Sequence, residues 1–394
     1  MNAPSNSLLE SGLERLLPTY ARADVIFVRG EGCRLWDSAG REYLDFGGGI
    51  AVVALGHRHP APLAAAREQL DRLWHASNLY RTEPAEALAA RLSERFGGAQ
   101  AFFCNSGAEA IEAALKYARK ATGRYGVVAL EGSFHGRTFG ALSATGQLSK
   151  RAAFEPGVPG VRFVAPNDVD ALQAAVDDDV GLILLEPILG EGGVVPLDAE
   201  FVAAAAELPS LLAFDEIQTG VGRTGSFFAF EQLGVRPDLV ALAKGLANGL
   251  PMGALLVADE AAGAFEPGDH GSTFGGNPVS CSAACAVVDA IDDELLANVR
   301  EQSAVLVDTL ASLPGVLEVR GRGLLLGAVV DRPAADVVQA CRERGLVVLA
   351  AGDDVLRLAP PLTVGAEEVV VAAARLASAL EQTSPHILLK SRIV

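Results

Sequence analysis

Short apolar runs alternate with longer amphipathic stretches through most of this chain, and that alternation restricts the fold more than any other feature. A chain that leaves a short buried strand and crosses over as a helix returns parallel to its start. An α/β fold around a mainly parallel sheet is therefore expected. Strands are expected at Gln100–Cys104, Val127–Leu130, Gly181–Leu185, Leu211–Phe214, Leu239–Ala241 and Gly253–Val257. Helices are expected at Ala85–Phe96 and at Ala108–Arg119, where Ile111, Ala114, Leu115 and Ala118 recur at helical spacing. From about Ala311 the pattern changes. Val316–Val319 and Leu324–Val330 flank a Gly-Arg-Gly turn, a helix is expected at Ala334–Arg344, short strands near Val347 and Leu356, and a last helix at Ala366–Leu380. These read as a smaller α+β domain whose companion is the strand material around Cys33–Asp45. The expected division is an N-terminal segment, 1–56, joining the small domain, a large domain, 57–282, and a C-terminal small domain, 283–394.

With 394 residues, half of them hydrophobic, the chain is long enough for more than one core. Its net charge of -17 argues against nucleic acid or an anionic membrane as partner, since both require clustered Lys and Arg. Met1 to Gly12 lacks the basic start and apolar run of a signal peptide, and no apolar stretch approaches the ~18 residues of a membrane span. Cys33, Cys104, Cys281, Cys285 and Cys341 are odd in number, scattered and without metal-ligand spacing, so reduced, mostly buried thiols and a cytoplasmic location are expected. His57 and His59 lack a third ligand, so no metal site is expected and a turn role is favoured.

In an open α/β sheet, ligands bind beyond the carboxyl ends of the strands. Five expected strand ends carry chemistry: Asn105-Ser106-Gly107-Ala108, Phe134-His135-Gly136-Arg137, Glu186 through Gly193, Asp215-Glu216-Ile217-Gln218, and Ala243-Lys244-Gly245. Ser106-Gly107-Ala108 opening a helix offers free N–H groups and a positive dipole end to a phosphate, though it also reads as an ordinary N-cap turn. Only five of the 32 basic residues are lysines: Lys116, Lys120, Lys150, Lys244 and Lys390. A lysine between small residues at a strand end stands out in that setting, because a primary amine forms an imine and a guanidinium does not. A solvated surface position is the alternative for Lys244. Asp215 is suited to pairing with a protonated ring nitrogen, or to capping a helix. Phe134 suits stacking or core; Arg137 and Arg357 suit bidentate carboxylate binding or surface. Gly220-Val221-Gly222-Arg223-Thr224-Gly225 fits a dinucleotide fingerprint by spelling, but five residues separate it from the strand and no acidic residue comes after it at the required distance, so it reads as a loop.

In order along the chain, these segments resemble the class III aminotransferases of the fold-type I pyridoxal-phosphate enzymes, most of all their acetylornithine-acting group. The resemblance runs from Pro18-Thr19-Tyr20 to about Leu380. It includes Gly49-Ile50-Ala51-Val52, Ser77-Asn78-Leu79-Tyr80, Gly190-Glu191-Gly192-Gly193, Gly271 through Pro278, and Arg357-Leu358-Ala359-Pro360-Pro361. It implies pyridoxal 5′-phosphate as cofactor, anchored and served as proton carrier by Lys244. Asp215 would face the ring nitrogen, Gln218 the ring hydroxyl and Phe134 the ring face. Ser106, Gly107 and Ala108 would hold the phosphate, joined by Thr273 of a neighbouring subunit, which implies a homodimer with shared active sites. Tyr20 and Arg137 would hold the far carboxylate of the substrate, with Ile50 and Ser272 also on the substrate side. Arg357 would bind the α-carboxylate of glutamate, and Glu191 would cover Arg357 when an ω-amine enters. Leu189 and Ile111 depart from the residues common in the family, Gln and Asn.

The implied reaction moves the terminal amino group of N2-acetylornithine to 2-oxoglutarate, giving N-acetylglutamate semialdehyde and glutamate, as in arginine biosynthesis. Other ω-amines stay open: γ-aminobutyrate, succinylornithine, ornithine, or a diaminopimelate or lysine precursor. So do a non-catalytic dimeric scaffold, which needs none of Lys244, Asp215, Arg137 and Arg357, and an oxidoreductase that binds NAD.

Overall fold

The structure is a computed structural model and describes residues 12–384. Lys390, the N-terminal stretch before Gly12 and the last ten residues of the expected small domain lie outside the described residues.

The largest sheet has seven strands, in the spatial order Ala99–Cys104, Gly253–Ala258, Leu239–Leu242, Leu211–Asp215, Val180–Leu185, Gly126–Leu130 and Val161–Val164. Gly253–Ala258 pairs antiparallel with both of its neighbours, and every other pairing is parallel. The remaining strands therefore all end at the same edge. The expected strands are present with bounds shifted by a residue or two. Val161–Val164 was not expected: its four residues include Arg162, and as an edge strand it is mostly half-exposed, so it lacks the apolar run of a buried strand.

Side chains in these strands alternate between two cores, as a period of two requires. Ile183, Leu185, Leu212, Phe214, Val240, Leu242, Ala254 and Leu256 fall in one core. Leu182, Leu184, Ala213, Leu239, Ala241, Leu255 and Val257 fall in the other, against the helix Gly107–Thr122. The first core is closed by Glu83–Phe96 and Pro278–Ala290, which also packs on Pro60–Leu70. Both faces of the sheet are thus covered, which explains near-continuous apolar strands. Ile111 and Leu189 are both buried in these cores.

A third core gathers the other end of the chain. Val316–Arg322, Leu325–Val330, Val355–Leu358 and Leu349–Ala350 form an antiparallel sheet, flanked by the helices Asp293–Ala311, Ala334–Glu343 and Ala366–Gln382. Phe27–Glu31, Arg34–Asp37 and Glu42–Asp45 form a further sheet, whose Glu42–Asp45 strand takes Leu346–Val347 as a parallel neighbour. Cys33, Leu44, Phe46 and Ala54 consequently share a core with Leu326, Leu356 and Leu376. Membership passes to the large core at Leu55 and back to this one between Leu296 and Val299, inside the helix Asp293–Ala311. Gly220 through Gly225 runs as turns into a bend, and the short 3-10 helix Ala229–Gln232 begins only after it, so no helix opens at these glycines. His57 hydrogen-bonds Asp45 at 2.8 Å and bridges Gly32 through its backbone, holding a turn. Among the described residues, no helix is long and apolar enough to cross a membrane.

One glycine controls how closely the antiparallel strand approaches the parallel ones. A Cβ on Gly253 would lie 2.4 Å from the carbonyl oxygen of Ser106, a backbone atom that cannot rotate away. Gly253→Ala is expected to destabilise the fold by about 1–3 kcal/mol through overpacking, read as a lower urea midpoint at an unchanged slope.

Candidate active site

Because six strands end together, the loops after them enclose one cavity of ≈ 1020 Å³. Ser106, Gly107, Ala108, Phe134, Arg137, Asp215, Gln218 and Lys244 all line it. The structure thus brings together residues from five separate strand ends.

Ser106 caps the helix Gly107–Thr122, accepting a hydrogen bond from Glu109 N–H at 3.3 Å. The N–H groups of that first turn have no carbonyl of their own helix to meet, and they face an anion-binding position. Gly107 is required there: a Cβ would lie 2.6 Å from Ile217, which also lines the cavity.

Lys244 comes after the strand Leu239–Leu242 with a left-handed φ of 40°. Its side chain is only partly covered because it projects into the cavity. Burial nonetheless lowers its pKa, and the Arg357 charge acts in the same direction against Glu191, Asp215 and Glu186. The amine is thereby brought nearer its nucleophilic, neutral form.

Asp215 ends its strand almost fully buried. One of its oxygens lies 2.7 Å from Nδ1 of His135 and the other accepts the Ile217 N–H at 3.0 Å. Burial works against charge on His135, but the hydrogen bond and charge of Asp215 outweigh it and raise the imidazole pKa. Glu186 accepts the Phe134 N–H at 3.0 Å and so fixes the loop that carries the aromatic ring.

Arg357 projects from the strand Val355–Leu358 of the smaller antiparallel sheet and is 3% exposed. Its Nη1 donates to Glu191 at 2.5 Å, to the Gly190 carbonyl at 2.8 Å and to Gln218 at 3.0 Å. Burial alone would raise the Glu191 carboxyl, but the charge and hydrogen bond of Arg357 bring it below its ordinary value, with Lys244 and Lys150 contributing.

Six expected site residues do not line this cavity: Glu191 and Arg357 join it only through Gln218, which lines it and accepts from Arg357, and four others lie elsewhere. Tyr20 is 73% exposed and Ile50 45% exposed, and neither lines it. Ser272 and Thr273 line an adjoining cavity of ≈ 800 Å³, linked through Asn105, whose Nδ2 donates to Ser272 Oγ at 3.1 Å. Conversely, His135 and Glu186 line the cavity although the sequence assigned them no role, and Lys150, which does not line it, lies 4.9 Å from the centre of the Phe134 ring. His135 alternates with Phe134 in a motif already noted, and Lys150 is one of five lysines; those were the available signals.

Residues 18–380 match the family described as aminotransferase class-III. The chain belongs to the class III aminotransferases. The acetylornithine aminotransferase of Gloeobacter violaceus is 48% identical, over 90% of this chain and 93% of that one. The succinylornithine transaminase of Yersinia pseudotuberculosis is 44% identical, over 98% of this chain and all of that one. Among solved structures, the ornithine aminotransferase of Toxoplasma gondii superposes with a TM-score of 0.92 at 32% identity, covering 97% of this chain and 95% of that one. The sheet order and strand-end cavity are therefore those of a fold-type I aminotransferase, acting on an amino acid and 2-oxoglutarate.

In this class III aminotransferase, burial raises the Glu186 carboxyl from 4.5 to about 7, against the pull of His135. Between those values the folded chain holds a proton that the unfolded chain has released, so this group makes stability fall as pH rises through the window. Glu186→Gln is expected to flatten that decline, measured as urea midpoints at about pH 5 and about pH 8.

Proposed function

We propose that this enzyme transfers the terminal amino group of N2-acetylornithine to 2-oxoglutarate, with pyridoxal 5′-phosphate as its cofactor. The observation that carries the reading is the convergence of Lys244, Asp215 and the Ser106–Ala108 helix start on one cavity. The donor set suits that cofactor: a half-buried amine shifted toward neutrality, a carboxylate at a strand end, and a helix start where Gly107 lets a ligand approach N–H groups without helical partners. When bound, the cofactor supplies the aldehyde that exchanges for the amine and a protonated ring that draws off electrons.

Lys244 holds the cofactor through its amine and, once released, carries the proton at the substrate carbon. Asp215, braced by His135, keeps the ring nitrogen protonated, and Gln218 faces the ring hydroxyl. Phe134 lies against the ring. Ser106, Gly107 and Ala108 take the phosphate on backbone donors. Arg357 receives the α-carboxylate of glutamate, and Glu191 covers Arg357 when an ω-amine enters, so the arginine is never left buried and unpaired. Arg137 meets the far carboxylate.

Tyr20, Ile50, Ser272 and Thr273 complete the site across a homodimer, with Thr273 serving the phosphate of the partner. An apolar face supports this assembly. Trp74, Leu79, Tyr80 and Phe274 are all exposed, and Asn78 ties their loops together through the Ser272 and Gly275 carbonyls, each at 2.9 Å. The five free cysteines support a cytoplasmic location. Succinylornithine is the second reading, favoured by the Yersinia relative.

The test is a set of half-reactions monitored by visible absorbance. Cofactor-loaded enzyme is mixed separately with acetylornithine, succinylornithine, ornithine, γ-aminobutyrate and glutamate. Fastest bleaching of the lysine-bound cofactor band by acetylornithine is expected, with glutamate also reactive; a better response to another amine would move the substrate. Lys244→Ala is expected to lose turnover on the order of 10³-fold while retaining measurable cofactor binding by fluorescence. Arg357→Ala should slow the glutamate half-reaction more than the acetylornithine one, and equal losses would remove the role given to the Glu191 pair.

A further inference from the structure

We infer that Lys150 is a specificity-determining residue, forming with Arg137 a two-cation seat that accepts the carboxylate at the far end of the substrate and disfavours a free ammonium beside it. The inference rests on the proposed function and extends it to why an acylated diamine would be preferred.

Hydrogen bonds tie the turn that carries Lys150 to the loop that carries Phe134. Gly146 N–H donates to the Ser133 carbonyl at 3.0 Å and to Ser133 Oγ at 3.1 Å, and Gln147 Nε2 donates to the Gly132 carbonyl at 2.9 Å. These bonds hold the turn Leu148–Arg151 against the loop that carries Phe134. Lys150 Nζ then lies 4.9 Å from the centre of the Phe134 ring, and Arg137 Cζ lies 5.6 Å from the same centre. Phe134 and Arg137 both line the Lys244 cavity.

Lys150 is half-buried. Burial lowers its pKa; Glu191 opposes that, while Arg137 and Arg357 add to it, so the ammonium is within electrostatic reach of charged groups throughout this site. Among the described residues, neither Lys150 nor Arg137 forms an ion pair, whereas Arg357 is already matched by Glu191. Arg137 is exposed and Lys150 half-buried, and the Arg137 charge disfavours the Lys150 ammonium, a repulsion that an incoming anion relieves. A carboxylate at the far end of the substrate supplies that anion.

The same pair reads the charge of the nitrogen next to that carboxylate. Free ornithine carries an ammonium there, which two cations repel. Acylation converts this nitrogen to a neutral amide, leaving the carboxylate as the only charge at that end. 2-Oxoglutarate, with a carboxylate at each end, satisfies Arg357 and the two-cation seat together.

The test compares wild-type holoenzyme with Lys150→Gln and Lys150→Arg. Binding of glutarate, a dicarboxylate with no reactive group, is measured by calorimetry, and KM and kcat are measured for acetylornithine, ornithine and pentylamine, whose tail is uncharged. Lys150→Gln is expected to weaken glutarate binding about tenfold and to raise KM for acetylornithine by a similar factor. KM for ornithine should stay level or fall, pentylamine should not respond, and Lys150→Arg should restore most of the loss. An unchanged glutarate affinity in Lys150→Gln would overturn the inference. So would an equal loss on pentylamine, because Lys150 would then only prop the Phe134 ring. If wild-type enzyme ignores acetylornithine, the proposed substrate fails, while the glutarate measurement still decides the role of Lys150.

Discussion

A sheet covered on both faces meets solvent only at its edges and at the ends of its strands, and the organisation of this protein derives from that restriction. Here Leu182 and Leu184 face one core and Ile183 and Leu185 the other, so neither face can carry polar chemistry. Parallel connection then sends every strand but one toward the same edge, and each loop leaving that edge starts beside the others. Lys244, Asp215, Phe134 and Ser106 are far apart in sequence, yet no long-range device is needed to assemble them. Their meeting is a consequence of how the core is made.

Charge is handled differently at different depths of this cleft. At the floor, charges are matched: Asp215 against His135 at 2.7 Å, and Arg357 against Glu191 at 2.5 Å. Such pairing is what permits ionised groups in a poorly hydrated place, since an unmatched one is costly there. Lys244 meets the same cost by a lowered pKa instead. Arg137 and Lys150 have no ion-pair partner among the described residues, and the proposed selectivity for anionic ends rests on that surplus. The whole chain is strongly acidic, so this positive region is a local exception that no net-charge argument reveals.

Period and punctuation governed the part that could be read from the residues. Apolar runs located six strands to within a residue or two, and the short polar segments at the ends of those runs located side chains that line the cavity. The part governed by cross-chain geometry could not be read that way. Val161–Val164 escaped because an edge strand with an arginine has no uninterrupted apolar signal. His135 and Glu186 escaped because their partners, Asp215 and the Phe134 amide, are on other loops, and Lys150 because its relation to Phe134 depends on hydrogen bonds to Gly132 and Ser133. Tyr20, Ile50, Ser272 and Thr273 were reached only through resemblance, and a single chain leaves them outside the cavity. In the proposed homodimer a second copy would place them, and no pattern within one sequence encodes that.

Arg357 belongs to the smaller sheet, while Glu191, Gly190 and Gln218, which hold it, come after strands of the larger one. The clasp therefore spans two cores that mutate under separate packing demands. If Arg357 has its proposed role, changes in the smaller unit that reposition one guanidinium would alter the taste for one amino donor over another and leave the cavity around Lys244 as it is. An architecture divided in this way lets a lineage diversify its substrates without rebuilding its chemistry.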